Sequence, residues 1–171
     1  MKLFGKLALT MVAALALIGL TTSAASAVTV RPGGNITATS LGRLVLSGAI
    51  DISCNVSLAG TLRTSGTVGS VVGQITGGSA NPCDPSLGVT LDNLPWDLRL
   101  DAATNTSADM TVVGATFTVG GLCQFRGNIP FRYTEGGLIV IGTNTLSSIC
   151  GSGRLTAGSQ FNLNPAQDIT V

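Results

Sequence analysis

WDLRLD, residues 96–101, alternates without a slip: Trp96, Leu98 and Leu100 fall on one side of an extended chain, and Asp97, Arg99 and Asp101 on the other. Side chains of a strand point to opposite faces with period two, so this is a strand with one buried face and a charged outer ladder. The same reading extends in both directions. In NVSLAGTLR (55–63), Val56, Leu58 and Leu62 oppose Ser57, Thr61 and Arg63. DMTVVGATFTV (109–119) reads as a strand with a bulge at Gly114. LIVI (138–141) is a continuous apolar run, expected of a strand buried on both faces.

Turn signals separate these runs: Pro32-Gly33-Gly34, Gly77-Gly78, Asn81-Pro82, Asp84-Pro85, Gly120-Gly121, Gly136-Gly137 and Gly151-Ser152-Gly153. Roughly ten to twelve strands are expected, with no helix after the N-terminal leader. The fold class is all-β. An antiparallel two-sheet sandwich stapled by disulfides is the leading architecture, and a closed β-barrel is the alternative.

The N-terminus reads as an export signal. Lys2 and Lys6 precede an apolar run of about 14 residues, Leu7 to Leu20, followed by Ala25-Ser26-Ala27, an A-x-A cleavage pattern. The run falls short of the ~20 residues that span a bilayer. A signal peptide over 1–27 and a single domain over 28–171 are therefore expected, with a secreted or cell-surface location and no integral membrane segment after cleavage. Such a domain buries roughly two-thirds of its unfolded surface, enough for a real core.

Both lysines lie in the leader, so seven arginines face eight acids in the remainder, a net charge of −1. No charge field steers this chain to nucleic acid. Strong helix formers other than Ala and Leu are scarce, whereas Thr and Val, which suit a pleated surface, are abundant.

Four cysteines, Cys54, Cys83, Cys123 and Cys150, in an exported chain favour disulfides. Their wide spacing and the absence of histidine argue against zinc, and no metal or other cofactor is expected. Three pairings are possible. The intervals 54–83 and 123–150 share a pattern: a strand leaves the first cysteine, a glycine-containing apolar segment follows, and a small-residue loop reaches the second. Cys54–Cys83 and Cys123–Cys150 are preferred on that ground.

Catalysis finds little material. There is no histidine to act as base and, after the leader, no lysine. Paired carboxylates remain, with Asp92, Asp97, Asp101 and Glu135 as candidates, but Asp97 and Asp101 flank Arg99 as a surface ladder does. No catalytic residue is assigned, and the chain is expected not to be an enzyme. Trp96, the single tryptophan, follows Pro95 into its strand. Its phase with Leu98 and Leu100 favours the core, while an exposed ring beside Asp97 and Arg99 would make a ligand surface.

Several of these pieces together resemble a known family: the start Thr29-Val30-Arg31-Pro32-Gly33-Gly34, the strand Ile52-Ser53-Cys54-Asn55-Val56, Leu94-Pro95-Trp96 with Leu98, Gly121 with Cys123, and the late Cys150. The chain is similar to the small secreted bacterial activators of alkane oxidation, the PraA/PraB group. The resemblance implies an extracellular, non-catalytic protein that helps cells use liquid hydrocarbon, or one that acts at the cell surface in adhesion and biofilm. Its partners would be hydrocarbon or cell-surface and matrix material. A carbohydrate-binding or adhesin-like module is one alternative. A self-assembling matrix component is another, because lysine, the usual guard of strand edges, is missing.

Overall fold

The computed structural model describes residues 27–171, which form fifteen strands and no helix. The expected leader, all but its last residue Ala27, lies outside the described residues. Eight strands close into a barrel: β2 (Gly34–Ser40), β4 (Ile52–Leu62), β6 (Val71–Asp84), β8 (Trp96–Ala103), β9 (Ser107–Val119), β10 (Cys123–Thr134), β11 (Leu138–Ile141) and β14 (Gln160–Asn164). The circuit runs β10-β11-β14-β2-β4-β6-β8-β9 and returns to β10, antiparallel at every step.

The closing ladder is β9 on β10, from Cys123 opposite Val119 to Thr134 opposite Ser107. This corrects the leading sandwich expectation in favour of the barrel. Register shifts occur at Cys54/Val56, Ala59/Gly60, Val71/Gly73, Leu100/Ala102 and Gly127/Ile129. Bulges bend a strand and raise its local twist, which lets a sheet curl round and pair its own edges. The bulge expected at Gly114 is present: φ is +66° and its N–H donates to Asn128 Oδ1 at 2.9 Å. The expectation for 138–141 is corrected, because Ile139 and Ile141 point inward while Leu138 and Val140 are only half-buried on the outer face. A barrel wall has two unlike faces, and β11 is part of that wall.

The strands left over finish the two ends. At one end β1 (Ala27–Arg31), β5 (Ser65–Thr67) and β15 (Asp168–Thr170) form a small sheet, with Val28, Val30 and Ile169 buried. There the buried Gln167 accepts from the Gly33 N–H through Oε1 and donates to the Pro165 carbonyl. We call this the cap end.

At the opposite end the long strands β4, β6, β9 and β10 continue beyond their neighbours. They are joined there by β3 (Leu44–Gly48), β7 (Val89–Asp92), β12 (Ser147–Ser148) and β13 (Gly153–Leu155). β12 pairs with β10, Leu146 bridges Gly153, β13 pairs with β3, and β3 with β4. On the other side β7 pairs with β9. This second tier is a ring with one break, because β7 lies beside β6 but pairs in a ladder only with β9.

Both disulfides stand at this open-tier end. Cys54 bonds Cys83 and Cys123 bonds Cys150. β4 and β10 run in the same direction and each begins near its cysteine, so the two bonds share one end of the barrel. Cys54 and Cys83 face each other across the β4–β6 ladder. Extending the β10–β12 register by two residues likewise sets Cys123 opposite Cys150. The likeness of the two intervals thus has a structural counterpart.

Candidate functional site

The barrel interior follows from period-two patterning closed into a ring. Inward residues of every stave are apolar: Ile36 and Ala38 of β2, Val56 of β4, Ile75 of β6, Leu98 and Leu100 of β8, Met110 and Val112 of β9, and Phe161 and Leu163 of β14 are all buried. The outer face carries the polar set. Asp97 accepts from Gln74 at 2.9 Å, and Asp101 accepts from Arg99 at 2.7 Å and from Thr111 at 2.6 Å. Arg132 donates twice to Asp109.

That interior is not completely filled. A cavity of about 100 Å³ is lined by Leu44, Leu58, Leu91, Trp96, Val112, Phe161 and other apolar side chains. A second, of about 60 Å³, lies toward the cap end. Leu58, Val112, Ile141 and Phe161 line both, so the two adjoin across these four side chains. At ~24 cal/mol per Å³, an empty void of 100 Å³ costs about 2 kcal/mol. Protein interiors ordinarily hold few voids larger than a water molecule. No charged or hydroxyl side chain reaches this lining, so it supplies neither a general acid nor a general base.

The break in the second tier borders the larger cavity. Leu58, Val89 and Leu91 line the cavity and are half-buried, unlike the fully buried Phe161 and Val112. A Cβ built on Gly78 of β6 would stand 2.9 Å from Leu58 Cδ2 and 3.0 Å from Leu91 Cδ1. Leucine side chains packed over a glycine therefore close the seam between β6 and β7, in place of ladder hydrogen bonds. On the outside of the seam a groove of about 370 Å³ runs past Ala80, Pro82 and Leu87 to Val89. Val89 lines both groove and cavity, so the two spaces meet at its side chain.

The disulfide end also displays aliphatic side chains. Leu122 is 79% exposed and Ile149 is 90% exposed. Each immediately precedes a cysteine of the Cys123–Cys150 bond, so the crosslink holds their two turns together. Leu87, 36% exposed, reaches the same end: its loop is tied by the Gly120 N–H donating to the Gly88 carbonyl at 2.8 Å. Sequence reading missed this tip, since Leu122 and Ile149 lie 27 positions apart and neither belongs to a periodic run.

The residues singled out from sequence are placed as follows. Trp96 is inside, 5% exposed, with Nε1 donating to the Asp92 carbonyl at 2.8 Å. Asp97 and Arg99 face outward from the same strand, so ring and charges lie on opposite sides of the barrel wall. Asp92 accepts from Thr118 at 2.6 Å and fixes the turn that carries β7 into β8. The four candidate carboxylates are not brought together. Among the described residues no group of three His, Cys, Asp or Glu is close enough to hold a metal.

One family model, described as alkane oxidation protein activator PraA/PraB-like, matches residues 1–171. No curated protein and no solved structure matches the chain.

Proposed function

The chain belongs to the alkane oxidation protein activator PraA/PraB-like family, and from that premise we propose that it is an exported, non-catalytic protein acting on the hydrocarbon itself at an oil–water boundary. The family description assigns a role in activating alkane oxidation. The observation that carries the finer reading is the pair Leu122 and Ile149, aliphatic side chains held almost wholly in water on two disulfide-joined turns. Exposed apolar groups concentrated at one end of a molecule mark a contact surface, since moving each from water into oil is favourable by about 1.5–3 kcal/mol.

Three further features support it. Two disulfides suit an oxidising compartment outside the cytoplasm. The polar outer wall is the reverse of the apolar band that a membrane-crossing barrel turns to lipid, and Leu122 and Ile149 at the tip are the two most exposed large apolar side chains among the described residues. An apolar interior without acid or base is consistent with a role that involves no bond making. The carbohydrate-platform alternative loses its main support, because Trp96 is enclosed.

The test is adsorption of the oxidised protein to hexadecane droplets, beside its reduced form and the double variant Leu122→Ser/Ile149→Ser. Strong adsorption by the oxidised wild type, reduced in the other two, supports the reading. Adsorption equal in all three, or absent from all, overturns it.

A further inference from the structure

We propose that the barrel interior is a binding site for one small hydrocarbon molecule, reached from the tip through the seam between β6 and β7. The proposal rests on the reading that the protein meets hydrocarbon and adds where a single molecule of it would go. The two cavities, about 100 and 60 Å³, are together on the scale of the ~150 Å³ apolar cavity that stays dry and takes up benzene or xenon. Their lining offers no hydrogen-bond partner, which rejects water and polar ligands alike and admits alkyl or simple aromatic hydrocarbon.

The route follows from pairing. Every boundary between the eight staves is a hydrogen-bonded ladder, and opening one would break several backbone bonds together. At the seam only Leu58, Leu91 and Val89 need move, and side-chain rotamers change far faster than ladders open. The outer groove begins at Leu87, one of the three exposed tip residues, so the path runs from tip to groove to Val89 to cavity.

Trp96 lines the larger cavity and is the chain's single tryptophan, so it reports occupancy directly. The experiment is quenching of its fluorescence by 1-bromohexane, kept below its aqueous solubility so that no droplets form. Iodide serves as the quencher that stays in water. Saturable quenching by 1-bromohexane with little effect of iodide is expected, and n-hexane should relieve it by competition. Val112→Phe, which grows into both cavities, should weaken binding about tenfold or more. The milder Val112→Leu should weaken it less while remaining folded. Leu91→Ala at the seam should speed both uptake and release without loss of saturation quenching.

No saturable quenching in the wild type, or quenching unchanged in both Val112 variants, overturns the site. Uptake rates unchanged in Leu91→Ala overturn the route. Failure here is distinct from failure of the surface reading: Leu122→Ser/Ile149→Ser should lose droplet adsorption yet keep 1-bromohexane quenching, and the Val112 variants should do the opposite.

Discussion

Tyr133 and Gln167 are joined by two reciprocal hydrogen bonds at the cap end: the Gln167 N–H donates to the Tyr133 hydroxyl oxygen at 2.7 Å, and that hydroxyl donates to the Gln167 carbonyl. Both residues are 1% exposed. Tyr133 lies near the end of β10, and Gln167 sits in the turn before the final strand, 34 residues on. One phenol thus fastens the cap to the barrel. Replacing Tyr133 by Phe leaves the Gln167 N–H and carbonyl buried without a partner, at a cost of about 1–3 kcal/mol. A chemical denaturation series on Tyr133→Phe should show that loss with an unchanged denaturant slope.

The same phenol gives stability an alkaline limit. Burial pushes the Tyr133 hydroxyl above its ordinary value of 10.0, outweighing the hydrogen bonds that favour ionisation. A folded value raised above the unfolded one means the contribution is fully present below about pH 10. It is lost as pH climbs through the raised value. Melting temperature should therefore fall above pH 10 more steeply in the wild type than in Tyr133→Phe. At the acid end the sign reverses for Asp109, whose carboxyl is held below the usual range by the hydrogen bonds from Arg132. Its contribution is present above pH 3.8 and fades in stronger acid.

The two disulfides should separate stability from surface behaviour. Closing loops of 29 and 27 residues contributes on the order of 3 kcal/mol each in the chain-entropy model. Cys54→Ser/Cys83→Ser and Cys123→Ser/Cys150→Ser should then lose similar amounts of stability in denaturant. Only the second pair should also impair droplet adsorption, because it frees the turns that carry Leu122 and Ile149.

Gly60 tests the tightness of the wall. It sits at the bulge where β4 passes β6, and a Cβ there would stand 2.3 Å from the Gln74 carbonyl oxygen. That atom is backbone and cannot rotate aside. Gly60→Ala should cost about 1–3 kcal/mol through strain in two adjacent staves, read as a lowered melting temperature. Gly77→Ala, where a Cβ meets nothing within 4 Å, is the matched control and should change little.

Filling the void should have the opposite sign. Val112→Leu adds a methylene where the two cavities adjoin, and removing void volume recovers part of the ~2 kcal/mol that the larger one costs. A raised melting temperature in Val112→Leu is expected. A fall would mean that the wall around Val112 cannot accept the extra carbon.

The residues themselves determined the class of fold, for a reason that needs no long-range information. Alternation in 55–63 and 96–101 fixes which side chains share a face, and both segments lie in strands with the expected face inward, while 109–119 falls within the strand expected there. The same holds for Trp96, whose phase with Leu98 and Leu100 placed it in the core. The spacing of the cysteines favoured the pairing that the structure has, since each pair bounds an out-and-back run of strand.

Only the tertiary structure decided between sandwich and barrel. Both bury one face of every strand, so period-two patterning is identical in the two. The choice lies in whether β9 meets β10 along its whole length, which a set of local bulges permits and no single residue announces. The cavity, the β6–β7 seam and the tip at Leu122 and Ile149 are likewise products of closure. Each depends on residues far apart in the chain being brought to one place, and sequence periodicity describes a strand's faces but not its neighbours.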